Sequence, residues 1–339
     1  MDQSHLDFIN KHFPKADSPI GLTGAGSDRK YFRFLAQGKS YILTLSENTK
    51  ENQSFFYFAS QFEKHQIPSP RVLFISQDQK AYIQEDLGSH DLFSFLMDKN
   101  AQQKELLELF KKSISELIKA QSRLAKDFDY SNCYDFQSFS KELVLHDLFY
   151  FKNYFLDRSP LEYSRYTLTQ EFLDLSKKVA SFEQMGFMFR DFQSRNIMIK
   201  DQNPYFIDFQ GGMKGPGVYD LISLIWQAKA GLSTEFKEKC ILHYREERKN
   251  QGVEIPQLEF NRQYQICLLL RLLQVLGAYG LRGLVENKPH FISSINFGLA
   301  NLKEISNLEI LDQYPVLKGV IVQLSHFNIN ENTQQWNKN

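Results

Sequence analysis

The sequence predicts an α+β chain of two lobes, a small antiparallel sheet followed by a mainly helical region. Short aromatic and β-branched runs separated by turn residues crowd the chain up to Gly88, and amphipathic helical spacing dominates from Asp91 onward. A chain of 339 residues also has room for two cores of ordinary size. The expected division is a small lobe at 1–88, a hinge at 84–90 and a helical lobe at 91–339.

The elements follow in order. A short helix at Asp7–Phe13 precedes two strands, Tyr31–Leu35 and Tyr41–Leu45, which turn at Gln37-Gly38 as a hairpin does. Phe55, Phe58 and Phe62 then recur at helical spacing within Glu51–Lys64, and Pro68 and Pro70 forbid continuation. Arg71–Ser76 and Ala81–Gln84 read as two further strands. Lys104–Leu124 carries an apolar stripe of Leu106, Leu107, Phe110, Ile114, Leu117 and Ile118. Glu142–Phe155 and Gln170–Phe182 continue the helical pattern. Two short strands, Ile197–Ile199 and Tyr205–Ile207, interrupt it before helices resume, and Phe260–Val285 is the longest apolar stretch.

Composition narrows the function classes. Hydrophobic residues at 42% and charged residues at 24% describe a globular chain. Lys+Arg and Asp+Glu balance at 40 each, so no global field favours nucleic acid or an anionic membrane. The start has no long apolar core and no run reaches about 18 apolar residues, so neither a signal nor a spanning helix is expected. Cys133, Cys240 and Cys267 share no C-x-x-C spacing, which argues against a disulfide framework and a zinc site. A cytoplasmic protein is the expectation.

The chemistry concentrates at Phe189-Arg190-Asp191-Phe192-Gln193-Ser194-Arg195-Asn196, followed by Asp208-Phe209-Gln210. Phosphoryl transfer needs a carboxylate to accept the proton of an attacking hydroxyl, and hard oxygen ligands for Mg²⁺ on the phosphates. Asp191 precedes Asn196 by five residues, a loop short enough to aim both side chains into one place. The hairpin between Asn196 and Asp208 returns a second carboxylate to them.

These segments resemble the catalytic loop H-x-D-x-x-x-x-N and the metal-binding D-F-G of the protein-kinase fold, in its aminoglycoside-phosphotransferase/choline-kinase branch. The resemblance implies ATP and Mg²⁺ as cosubstrate and cofactor, Asp191 as catalytic base, and Asn196 and Asp208 as metal ligands. Phe189 stands at the place of the loop histidine. The segment Gly215–Leu221 resembles the family's stretch after the metal Asp, and there Asp220 reads as a structural carboxylate. Upstream, Gly24, Gly26 and Ser27 read as a nucleotide-covering loop, since glycines let backbone N–H groups approach phosphate. Protein kinases carry a Lys on the third strand. Here Ile42 and Thr44 fill that pattern, so Thr44 stands where the Lys would be, and Lys30 and Arg33 are the nearest candidates to steady the phosphates. Gln84–Gly88 corresponds to the hinge, where the backbone of Glu85 and Leu87 would read adenine.

A finer resemblance, spread over most of 20–230, is to bacterial kinases that phosphorylate the anomeric hydroxyl of N-acetylmuramate and N-acetylglucosamine. It rests on GSDRKYFRF, PSPRVL, QEDLG, RDFQSRN, DFQGG and GPGVYDLISL. The resemblance puts the acceptor pocket in the helical lobe. Glu142, His146 and Tyr150, four apart, share one helix face; Arg271, Gln274, Tyr279, Arg282, Glu286 and His290 interrupt an apolar stretch. Of these, Glu142, His146, Tyr279 and Arg282, with Arg195 of the loop, are the acceptor candidates. Arg suits a carboxylated sugar, and no dense acidic cluster suits a polycationic aminoglycoside. Aminoglycoside, choline, homoserine and fructosamine kinases remain open, as does a non-catalytic nucleotide-binding relative.

Overall fold

The structure, a computed structural model, describes residues 1–22, 29–98 and 100–329. It divides into two compact units. Unit 1 is Met1–Gln137 together with Asp191–Met213, and unit 2 is Ser138–Arg190 together with the chain from Lys214 on.

Unit 1 opens with α1 (Gln3–His12), capped by Asp2. A five-stranded antiparallel sheet follows, built from β1 (Ile20–Leu22), β2 (Lys30–Ala36), β3 (Lys39–Leu45), β4 (Val72–Ile75) and β5 (Ala81–Glu85) in the order β1-β2-β3-β5-β4. The β2–β3 register pairs Tyr31 with Thr44 and Lys30 with Leu45. Because side chains alternate along a strand, this register sorts the two faces. Phe34, Ala36, Leu43, Ala81 and Ile83 face one way, where Ile9 and Phe13 of α1 complete a core. Tyr31, Thr44 and Tyr82 face the other way, toward α2 (Thr49–Lys64), whose Phe55 ring lies 5.0 Å from that of Tyr82. Asn48 caps α2 through the backbone N–H of Glu51 at 3.3 Å.

The short α3 (Leu92–Met97) and the long amphipathic α4 (Gln103–Leu124) continue unit 1. The hairpin β7 (Ile197–Lys200) and β8 (Asn203–Phe206) packs on them, after β6 (Gly186–Met188) of unit 2. Four contacts fasten it. Phe206 N–H donates to Pro68 O and Ile199 N–H to His90 O, both at 2.8 Å; Met198 bridges Asp91; and Lys112 Nζ reaches Gln202 O at 2.9 Å. These bonds are why the compact division falls elsewhere than the expected boundary at the hinge. Residues 91–137 and the loop with its hairpin fold with the sheet, not with the later helices.

Unit 2 consists of α5 (Lys141–Tyr154), α6 (Arg165–Ala180), then, past β9 (Met213–Gly215), α7 (Val218–Ile225), α8 (Thr234–Asn250), α9 (Gln257–Tyr279), α10 (Pro289–Ile305) and α11 (Pro315–Leu324). The central α9 is apolar nearly all round because α5, α7 and α10 cover it. With its π-helical continuation Gly280–Val285 it is long and apolar enough to cross a membrane, contrary to expectation, but 56% of its apolar window is buried within the protein. Gly277 and Gly280 let α5 approach: a Cβ on Gly280 would lie 2.2 Å from Tyr154 O. The buried Glu171 of α6 accepts from the N–H groups of Val316 (2.9 Å) and Leu317 (2.7 Å), satisfying two of the free donors at the start of α11.

Candidate active site

Asp191, Asn196 and Asp208 all belong to unit 1. Past Asp191 the chain tightens into a 3₁₀ turn over Ser194–Asn196, with Gln193 N–H on Asp191 O and Asn196 N–H on Gln193 O, both at 2.9 Å. Asn196 Nδ2 also donates to Asp191 O at 2.9 Å, which fixes the amide and leaves its Oδ1 directed away from that bond. Ile207 N–H then donates to Asn196 O at 3.0 Å, closing the hairpin ladder so that the next residue, Asp208, returns beside the loop. Asp208 takes a left-handed backbone (φ 56°), uncommon for a residue with a side chain. The following Phe209 is buried against the rings of Phe55 (5.0 Å) and Phe62 (4.6 Å) of α2, which anchors the strained segment.

Electrostatics tie the same groups together. Asp208 keeps some surface open to solvent, but protein atoms crowd around it. Burial, reinforced by the negative charge of Asp191, holds its carboxyl above the usual carboxylate range; a hydrogen bond from Gln210 and the nearby Arg29 act against that rise. Gln210 Nε2 is 2.9 Å from Asp208 Oδ1 and 3.2 Å from Glu51 Oε1. Gln193 Nε2 donates to Asp191 Oδ1. One guanidinium, Arg29, pairs with Glu51 and acts on Asp208, whose carboxyl also feels the charge of Asp191. That leaves two negative charges, the charge of one divalent cation. The available ligands, an amide oxygen and a carboxylate, are hard oxygens of the kind Mg²⁺ takes with phosphate oxygens and water. Among the described residues, no three His, Cys, Asp or Glu side chains gather as a self-sufficient metal cage. The donor set fits a magnesium carried in with a nucleotide.

Unit 2 holds the chain on the approach to the loop. Asp220, fully buried at the start of α7, accepts from the N–H groups of Phe189 and Arg190, each at 2.9 Å. This is the structural carboxylate expected at that position. Phe189 is buried edge-on to Phe187 with ring centroids 5.0 Å apart, so packing does there what a histidine side chain would do by hydrogen bonding. Arg190 is left-handed (φ 67°), and its guanidinium meets both oxygens of Asp147 at 3.0 and 3.2 Å.

The remaining expected residues fare unevenly. Gly24, Gly26 and Ser27 lie outside the described residues. Lys30 is exposed and, paired with Leu45, lies on the sheet face opposite Thr44. Arg33, expected at the phosphates, instead binds Asp86 (2.6 Å) and Gly88 O (2.9 Å), bracing the hinge. Ile42 is buried on β3. Glu85 N–H is spent within the sheet on Arg71 O at 3.0 Å, and its side chain pairs with Arg71 as well. Leu87 is buried just beyond β5. Arg195 stacks over the Phe93 ring at 4.2 Å. The sequence reading missed Arg29, Glu51, Gln193 and Gln210. A cavity of about 420 Å³ in unit 1, lined among others by Glu63, Pro68, Arg71, Glu85, Glu116 and Tyr205, includes none of the three central groups.

Within unit 2, His146 and Tyr150 lie on one face of α5 with ring centroids 6.2 Å apart, and Tyr150 feels the charges of Arg282 and Glu286. Arg282 pairs with Glu286 at 3.0 Å, and Tyr279 lies 6.2 Å from the Phe291 ring. Glu142 is exposed in the first turn of α5, beside Lys141. Arg271 is buried against Gln274, a core position.

Comparison with known proteins bears on the family and the fold. Residues 20–249 match the model of the phosphotransferase enzyme family. The chain is 22% identical to an N-acetylmuramate/N-acetylglucosamine kinase of Neisseria meningitidis serogroup B, over 93% of this chain and 94% of that one. Its fold matches the choline kinase LicA of Streptococcus pneumoniae with a TM-score of 0.61 at 14% identity, covering 88% of this chain and 96% of the other. A thermostable aminoglycoside phosphotransferase APH(4)-Ia, solved with ADP and hygromycin B, matches with a TM-score of 0.56 at 13% identity over 95% and 99%. The fold is kinase-like, with a small antiparallel sheet and a mainly helical remainder.

Proposed function

The chain belongs to the phosphotransferase enzyme family, and on that premise we propose that it transfers the γ-phosphate of ATP to the anomeric hydroxyl of an N-acetylated amino sugar, N-acetylmuramate or N-acetylglucosamine. The observation that supports the transfer chemistry is the bonding of Asn196 Nδ2 to Asp191 O and of Ile207 N–H to Asn196 O, which draws Asp191, Asn196 and Asp208 to one end of a hairpin.

In this reading the acceptor hydroxyl lies against Asp191. As its oxygen forms the bond to the γ-phosphorus, the bond from that phosphorus to the β-phosphate oxygen breaks, ADP departs, and the hydroxyl proton passes to the Asp191 carboxylate. Gln193 orients that carboxylate by its hydrogen bond to Oδ1. Asn196 Oδ1 and Asp208 would hold Mg²⁺, which when bound neutralises charge on the β- and γ-phosphates. Gln210 keeps the Asp208 carboxylate aimed by its 2.9 Å bond.

The acceptor class rests on two supports. A relative named for these two sugars aligns along nearly the whole chain, and unit 2 offers Arg282, Tyr150 and His146 near one another, a set suited to a hydroxyl-rich acceptor, with or without a carboxylate, rather than to a polycation. The test is a transfer screen with ATP and Mg²⁺ over N-acetylated hexoses, free hexoses, choline and aminoglycosides, with the phosphate position read from the product. A C1 phosphate on an N-acetylated hexose is expected. Transfer confined to an aminoglycoside or choline would overturn the acceptor assignment, and ATP binding without transfer to any acceptor would make the chain a non-catalytic relative.

A further inference from the structure

Kinases of this fold ordinarily steady the α- and β-phosphates with a third-strand Lys, itself held by a Glu of the following helix. Here that strand position is Thr44, buried and uncharged. The partner carboxylate is nevertheless present: Glu51 sits in the first turn of α2, directed at the same sheet face. A carboxylate so placed, with only 24% of its side chain exposed, is costly unless a cation answers it.

The cation is Arg29. Its Nη2 lies 3.1 Å from Glu51 Oε1, and just 4% of its side chain is exposed. Strand parity explains why this residue and not its neighbours reaches the place. Tyr31 pairs directly with Thr44, so odd-numbered positions at this end of β2 share the face of Thr44, and Lys30 points to the other. Arg29 continues the odd series one step before the strand begins. Its guanidinium lies 5.7 Å from the Phe55 ring, the same ring that stacks on Phe209 beside Asp208. Glu51 Oε1 also accepts from Gln210 Nε2, which bonds Asp208 Oδ1. Arg29, Glu51, Gln210 and Asp208 thus form one continuous polar chain ending at a predicted metal ligand. Burial works against the charge of Arg29, but Tyr82, Glu51, Tyr31 and Asp208 around it outweigh that and favour it.

Resting on the phosphotransferase reading, we propose that Arg29 is the phosphate-binding cation of this enzyme, supplied from just before the strand next to the one that usually carries it and held in place by Glu51. An arginine in this role offers a planar, several-donor fork where a lysine offers a point charge, so one edge can rest on Glu51 while another meets phosphate oxygens.

The test measures binding of ATP, ADP and adenosine to the full chain by calorimetry with Mg²⁺, in wild type and in Arg29→Met and Arg29→Gln, using whichever variant keeps the wild-type circular dichroism. Loss of a charged hydrogen bond to phosphate predicts ATP and ADP affinity lower by about 10-fold or more, with adenosine affinity unchanged. A variant that binds ATP within about 2-fold of wild type, or that loses adenosine as steeply as ATP, overturns the assignment, because a merely structural arginine would not separate the phosphates from the nucleoside. A wild-type chain that binds no ATP at all would instead fell the phosphotransferase reading and the assignment together.

Discussion

Replacing Asp220 by Asn separates the scaffold of the catalytic loop from its chemistry. The carboxylate is fully buried and accepts two backbone N–H groups at 2.9 Å, from Phe189 and Arg190. An Asn of the same shape keeps one acceptor and turns an NH₂ toward the other N–H. One buried donor then loses its partner, which costs roughly 1–3 kcal/mol. Asp220→Ala strips both and costs roughly twice that. The damage should not stop at stability. Arg190 holds a left-handed backbone of φ 67°, a conformation that costs a residue with a Cβ about 1–2 kcal/mol. Asp220 is what makes that conformation worthwhile, so without it Arg190 relaxes and the adjoining Asp191 shifts. A displacement of about 1 Å at a catalytic group lowers turnover by about 100-fold. Urea unfolding gives the first quantity, and steady-state kinetics with ATP the second, where kcat should fall and KM for ATP should hold. Wild-type stability and kcat in Asp220→Asn would refute the argument that this carboxylate positions the loop.

Further expectations follow the same geometry. Gly280→Ala drives a Cβ to 2.2 Å from Tyr154 O, and, since backbone must move, urea unfolding should show a loss of about 1–3 kcal/mol or more. Asp86 is buried, which alone would raise its carboxyl, but hydrogen bonds from Ser40 and Arg33 outweigh burial and hold it below the usual range. Its contribution is therefore complete above about pH 4 and fades as pH falls through the lowered folded value. Arg33→Met raises that value, so acid unfolding should begin at higher pH; with Arg33 about one-third exposed (32%), the loss at pH 7 should be about 1–3 kcal/mol rather than the full cost of an orphaned buried charge. Asp208→Ala should abolish the Mg²⁺ dependence of ATP binding in calorimetry, and a retained dependence would contradict its place as a ligand.

Much of this molecule was legible in its sequence, and the misses have physical causes. The sheet strands and α2 showed through because their alternating and helical patterns are local properties. The strands Gly186–Met188 and Met213–Gly215, three residues each, are too short to show a period. The compact division differs from the hinge boundary because hydrogen bonds from the hairpin N–H groups of Phe206 and Ile199 to the carbonyls of Pro68 and His90 join residues far apart in the chain, and no window of sequence contains them. At the proposed site, spacing alone nominated Asp191, Asn196 and Asp208. Lys30 and Arg33 were the sequence candidates for the phosphate cation, whereas the strand parity set by the pairing of Tyr31 and Thr44 supports the proposal of Arg29. Glu51 was visible as an acidic residue opening α2, but its role emerges only when the cation across from it is known.

The central claim is that Asp191 accepts the proton of an incoming alcohol while Asn196 and Asp208 serve the nucleotide's metal. The most direct measurement compares phosphate transfer and MgATP affinity in wild type and Asp191→Asn. Turnover should fall by about 10²–10⁴ with MgATP affinity preserved. An Asp191→Asn enzyme that transfers phosphate at the wild-type rate would contradict the account.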